Sequence, residues 1–308
     1  MRNNIKQDFL LRHNLGESLV TELPMDASAR SYDRIHSKGR DYILMNCPPD
    51  YTSVVPFVEI ASLLRSHGLR APEIFASDEE NGFLLIEDFG KQRIKDTLLS
   101  KPEAEDEIYS RVIDLLHQVQ KCDTKILEDH DLELLLSGIE VYMDWYPKLI
   151  GKDVSEVERR DSLDLWRDKL SFLSETGNKV IALRDFHVEN LMDLPSGEIG
   201  ILDFQDARRG SPVYDLVSVL QDARHDVNDC LEEKMLDYYI SSTDLISSSD
   251  LAKLYNLLGA QRNLRILGVF ARKALRDGQD KYLEFIPRVK RYLDKNLSSN
   301  FMSNISQF

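Results

Sequence analysis

Leu183-Arg184-Asp185-Phe186-His187-Val188-Glu189-Asn190, followed by Ile199-Gly200-Ile201-Leu202-Asp203, decides how this chain is read. The stretch sets an Asp, an Asn five residues later, and a second Asp beyond a turn. Phosphoryl transfer from a magnesium nucleotide needs three such groups. One carboxylate takes the proton of the attacking hydroxyl, while an amide oxygen and a second carboxylate hold the metal on the phosphates. Val180 to Leu183 is a short apolar run and is expected as a buried strand, with a loop from Asp185 to Asn190. Leu191-Met192-Asp193-Leu194, the turn Pro195-Ser196-Gly197 and Ile199 to Leu202 are expected as a hairpin. Asn190 then stands at its start and Asp203 at its end, so the two can meet one ion. The alternative is that Asp185 and Asn190 only cap a turn. His187 is expected to support the loop without a chemical role.

Length and composition bound the rest. With 308 residues the chain can form two lobes, each with its own core. No window has the length and apolarity of a membrane span, and the first residues lack the apolar core of a signal peptide. Cys47, Cys122 and Cys230 are far apart, show no metal spacing, and suit a reducing cytoplasm. The net charge of −14 argues against general nucleic-acid binding, which needs a basic surface. An acidic protein could attract a cationic acceptor, but the acidic residues are spread along the chain and are read as an ordinary solvated surface.

The catalytic stretch resembles the loop of the aminoglycoside phosphotransferase and choline kinase superfamily, relatives of the protein kinases. With Leu202-Asp203-Phe204-Gln205-Asp206-Ala207, it is most similar to the bacterial kinases of N-acetylmuramate and N-acetylglucosamine. Three other segments carry the same resemblance: Asp26 to Tyr32, Asp144-Trp145-Tyr146-Pro147, and Gln261 to Gly268. The resemblance implies an α+β, two-lobed protein-kinase-like fold. A small β-rich N-lobe over 1–89 would bind nucleotide, and a larger helical C-lobe over 90–308 would carry the catalytic loop and the acceptor site. It also implies ATP and Mg2+ as cofactors and a small-molecule acceptor, with the anomeric hydroxyl of the amino sugars as the first choice. An aminoglycoside, choline or another hydroxyl acceptor remains open, as does a nucleotide-binding pseudokinase module. The sequence does not specify the oligomeric state.

Roles follow residue by residue. Asp185 is the expected base, and Asn190 and Asp203 the metal ligands. Ser28, Ala29 and Arg30 are expected beside the phosphates, in a loop of small residues whose amides can approach closely. Backbone groups of Ile86, Glu87 and Asp88, where a kinase-like chain crosses between lobes, are expected to meet adenine, with Leu202 an apolar floor or core packing. Related kinases carry a strand lysine where this chain has Met45, so the usual partnership with Glu59 is in doubt. Arg30 is the expected substitute, since a guanidinium binds phosphate bidentately, with Arg34 next. Asp206, Asp144, Trp145, Arg262 and Asn263 are candidate acceptor contacts. Each has a plainer reading as local structure, core packing or a polar helix face. Asp215 is expected beneath the catalytic loop as support.

Helices are expected over Val55 to His67, Glu103 to Lys121, Leu132 to Trp145, Ser155 to Ser174, Leu231 to Ser241 and Asp250 to Arg276. Ser211-Pro212 reads as a cap and first turn of a further helix running from Val213 to about His225.

Overall fold

Alternating, β-branched and aromatic segments in the first third of the chain build one sheet. Strands β1 (Leu19–Glu22), β2 (Ser31–Ser37), β3 (Arg40–Asn46), β4 (Ile74–Asp78) and β5 (Phe83–Glu87) lie in the order β1-β2-β3-β5-β4, antiparallel throughout. The structure, a computed structural model, describes residues 2–24, 30–48, 53–176, 178–303 and 305. Lys38 and Gly39, both at positive φ, make the tight turn between β2 and β3, where Ser37 pairs with Arg40. Helix α1 (Arg2–Arg12) covers one face of the sheet, with Phe9 and Leu10 packed among Ile35, Leu44, Phe83 and Leu85. Helix α2 (Val55–Ser66) has Pro56 in its first turn and buries Phe57, Ile60, Ala61 and Leu64. It stops at His67, before Gly68 at φ +78°.

Later in the chain come α3 (Ile94–Ser100), α4 (Glu105–Val119), α5 (Leu132–Leu149) and α6 (Glu156–Ser171). The short strands β6 (Val180–Ala182), β7 (Leu191–Asp193), β8 (Ile199–Ile201) and β9 (Arg208–Gly210) follow. Helices α7 (Tyr214–Leu220), α8 (Asp229–Ser241), α9 (Ser248–Asp277) and α10 (Ile286–Leu297) complete the order. Side-chain caps set several starts: Asp131 accepts from Leu134 N, Asn228 from Leu231 N, and Ser155 with Glu158 forms a capping box. Helices α5 and α9 pack closely because position 268 is Gly: a Cβ there would stand 2.5 Å from Val141 O. Among the described residues no helix is long and apolar enough to cross a membrane.

The chain parts into two compact units, Met1–Thr97 with Asn190–Asp206 and Leu98–Glu189 with Ala207–Phe308. Hairpin β7–β8 therefore belongs with the first unit, although it follows the catalytic loop in sequence. Its anchors are local to that unit. Ile201 N donates to Arg70 O (2.8 Å), Asp193 N to Gln92 O (2.9 Å), and Thr97 Oγ1 to Asp193 Oδ2 (2.8 Å). Strands β6 and β9 pair antiparallel in the second unit.

Two expected helices have other ends. Ser211-Pro212 forms a turn before α7, which starts at Tyr214 and stops at Leu220 instead of near His225. The stop has a cause: Asp222 accepts from Arg224 N at 2.8 Å, an Asx turn that competes with helical bonding. Helix α5 runs past Trp145 to Leu149. Pro147 stands in its last turn, where it forfeits one N–H bond to the preceding turn, and the helix ends two residues on.

Candidate active site

Strand β6 ends at Ala182 and delivers Leu183 and Arg184 into the loop that carries Asp185. The loop is held from below by α7. Asp215, buried in its first turn, accepts from Leu183 N at 2.6 Å and Arg184 N at 2.8 Å. Burial pushes its carboxyl up to about 7, against the opposing pull of those two amides and of Arg262. Both oxygens accept amide protons, a geometry that calls for the ionised form. Arg184 sits at φ +73°, a strained conformation for a residue with a Cβ. Asp222 accepts from Val188 N at 3.3 Å, and Arg224 pairs with Glu189 at 3.1 Å and meets His187 Nε2 at 3.2 Å. His187 is buried, and burial holds its imidazole below its ordinary value, hence neutral. It supports the loop.

Asp185 is half-buried. Burial is the largest influence on its carboxyl and raises it, but neighbouring charges, Arg265 first, outweigh burial and leave it below its ordinary value. Since His187 is neutral, the arginines 265, 262 and 184 carry that stabilisation. An ionised carboxylate of this kind can accept a proton.

In the first unit, hairpin register brings the two expected metal ligands to one end. Leu191 pairs with Ile201, and Leu202 N donates to Asn190 O at 2.9 Å, so Asn190 and Asp203 flank the closing rung. Asp203 sits at φ +56° and its side chain is 40% exposed. Its Oδ1 accepts from Gln205 Nε2 at 2.9 Å and lies 3.4 Å from Arg30 Nη2. An accessible carboxylate beside an amide-bearing residue offers the hard oxygen donors that Mg2+ takes. Gln205 also donates to exposed Asp206 at 3.3 Å, so one amide steadies both carboxylates. Sequence reasoning gave Gln205 no role, though it stands between the two acids.

Other candidates fall as follows. Ser28 and Ala29 lie outside the described residues. Arg30 reaches Asp203, as above. Arg34 is not a free phosphate ligand: it forks onto Asp88 at 2.5 and 3.0 Å and also donates to Gly90 O. Met45 is buried between Tyr32 and Leu84, and Glu59 is exposed on α2, so among the described residues no ion pair joins this strand position to Glu59. Ile86 is buried and pairs with both β3 and β4, while Glu87 N donates to Glu73 O and its carboxylate binds Arg70 at 2.8 Å. Leu202 is half-buried.

In the second unit, Asp144 is paired with Arg159 at 2.5 Å, and half-buried Trp145 lies under Lys148 at 5.5 Å. Tyr146 is buried and stacks on Tyr142, with ring centroids 5.2 Å apart. Asn263 is fully buried and donates to Gln221, in a network with Asn296. That is a correction to its expected acceptor contact, since a side chain without exposed surface is not placed to touch one. Arg262 is 4% exposed and donates to Ser218 Oγ at 2.7 Å, leaving its Nε and Nη1 without hydrogen-bond partners.

Residues 19–246 match the phosphotransferase enzyme family, APH. The chain is 33% identical over 279 residues to the N-acetylmuramate/N-acetylglucosamine kinase of Pseudomonas aeruginosa, covering 87% of this chain and 81% of that one. It is 30% identical over 336 residues to the kinase of the same name from Caulobacter vibrioides, covering 95% and 92%. Among solved structures, the choline kinase LicA of Streptococcus pneumoniae has a TM-score of 0.65 at 15% identity, covering 95% of this chain and 99% of that one. LicA has also been solved in complex with AMP. That likeness bears on the fold alone.

Proposed function

We propose, from the premise that this chain belongs to the APH phosphotransferase enzyme family, that it is an ATP-dependent kinase of N-acetylmuramate and N-acetylglucosamine. The observation that carries the reading is the likeness to kinases so named along nearly the whole chain. The geometry of the loop and the hairpin supports it. The hydroxyl phosphorylated is the anomeric one at C1, the most acidic hydroxyl of a reducing sugar and so the easiest for a carboxylate to deprotonate.

Asp185 accepts the proton of that hydroxyl as its oxygen attacks the γ-phosphorus. Asp215 holds the Asp185 loop by two amide hydrogen bonds. Asn190 and Asp203 would hold Mg2+, whose charge, when bound, offsets that of the phosphates. Arg30, already at Asp203, adds a guanidinium suited to phosphate oxygens. Residues 1–89 serve nucleotide binding, joined by the hairpin, and 90–308 the catalytic loop and the acceptor. The adenine would meet the backbone around Asp88. The cytoplasm, where ATP is available, suits three free cysteines.

The test is an acceptor panel with ATP and Mg2+, read by mass: N-acetylmuramate, N-acetylglucosamine, an aminoglycoside and choline. An acid-labile amino-sugar monophosphate that has lost its reducing end is expected. Turnover of choline or the aminoglycoside alone, or ATP binding with no product, would overturn the reading.

A further inference from the structure

An acceptor that carries a carboxylate must approach a chain with a net charge of −14. Long-range repulsion then works against binding, and a local cation beside the reacting hydroxyl has to offset it. Three arginines act on Asp185 within the second unit: 184, 262 and 265. Arg184 belongs to the loop itself. Arg262 is almost wholly enclosed and committed to Ser218. Arg265 is different. It stands three residues on from Arg262 along α9, on the same helix face, and is half-buried.

We propose that Arg265 reads the acceptor's carboxylate and so makes the enzyme prefer the acidic amino sugar over the neutral one. The assignment rests on the amino-sugar kinase reading above. Three observations carry it. Among the described residues Arg265, half-buried on α9, makes no hydrogen bond or ion pair, yet of the charges around Asp185 it acts most strongly on that carboxyl. Its stem packs on α5 at Gly138: a Cβ there would stand 2.7 Å from Gln261 Nε2 and 3.2 Å from both Cβ and Cδ of Arg265, so the glycine makes room for both side chains. Arg262 behind it keeps two donors without partners, which deepens the positive field on this face. A planar fork with a free edge suits a carboxylate bidentately. A neutral acceptor makes no use of it.

The experiment is steady-state kinetics at saturating ATP on N-acetylmuramate and N-acetylglucosamine, for the wild type, Arg265→Gln, Arg265→Lys and Gly138→Ala. Losing a charge-assisted contact should raise the KM for N-acetylmuramate roughly 10- to 100-fold. The neutral sugar should change far less, and Arg265→Lys should recover part of the preference. Gly138→Ala, which crowds the Arg265 stem along with the Gln261 amide and keeps the charge, should erode the same ratio. Equal losses on both sugars, or a raised KM for ATP, would overturn the assignment and put the guanidinium on the phosphates. A displaced acid limb of the pH profile for both sugars would overturn it too, showing that Arg265 acts only through Asp185. A wild type that phosphorylates neither sugar overturns the functional reading itself, which separates the two failures. Should Arg265→Gln unfold, the Lys and Gly138 variants still decide the ratio.

Discussion

Asp185 and Asp215 differ in what surrounds one carboxyl group, and the difference assigns their work. Arginines hold Asp185 ionised, whereas burial lifts Asp215. Asp185→Asn should abolish turnover, with kcat falling at least ~100-fold, while calorimetry of nucleotide binding changes little, because the proposed base would meet the acceptor and not the nucleotide. A variant that keeps a tenth of the wild-type kcat would remove Asp185 from the chemistry. Asp215 makes a prediction of opposite signs. Its folded value of about 7 lies above the ~3.9 of an unfolded Asp. Its contribution to stability is therefore present below the unfolded value and lost as pH rises through about 7. Catalysis should run the other way, since only the ionised form accepts from both loop amides, so kcat should rise through the same pH range. Asp215→Asn should flatten both slopes. If the mutant keeps the wild-type pH profile, the loop is held by something else. Spacing made the loop that carries Asp185 and the hairpin that carries Asn190 and Asp203 legible, because each is set over a short stretch of chain. The fork of Arg34 onto Asp88 and the burial of Asn263 were not legible. Each depends on side-chain direction relative to residues tens of positions away.

The hairpin shows how far an element can be read from local pattern. Leu191–Asp193 and Ile199–Ile201 form where the apolar runs stand, with Gly197 at φ +85° in the turn. Its allegiance to the first unit was not readable, because the anchors at Arg70, Gln92 and Thr97 come from distant sequence. Strand β1 gave no pattern to find, as all four residues are exposed. Helix α10 carries a legible signal: Val289, Tyr292, Leu293 and Asn296 are its buried stripe at helical spacing. Gly200 marks the close approach that seats the hairpin, since a Cβ there would stand 2.7 Å from the Phe89 ring. Gly200→Ala should therefore cost about 1–3 kcal/mol in denaturant unfolding. It should also raise the Mg2+ concentration needed for half-maximal rate, because Asn190 and Asp203 ride on that hairpin. A normal Mg2+ requirement in a destabilised variant would separate the seat of the hairpin from the metal.

At the scale of the molecule, nucleotide binding and stability are linked whatever the acceptor proves to be. A ligand that binds only the folded state stabilises it by ~2.7 kcal/mol at a hundred times its Kd. For a domain of this size each kcal/mol moves Tm by ~2–4 °C, so MgATP should raise the midpoint by roughly 5–10 °C. Asp203→Ala removes an accessible carboxylate at the hairpin's end, and with it the contacts to Arg30 and Gln205. The MgATP shift should shrink to a small fraction of its wild-type size. ATP without Mg2+ should behave alike on both proteins, or bind the variant slightly better, since a carboxylate near the phosphates repels them when no cation lies between. That second arm isolates the metal role from general damage, because a misfolded variant would lose both responses. An Asp203→Ala protein that keeps the full MgATP shift would place the cation elsewhere and leave Asp203 as a partner of Arg30 and Gln205.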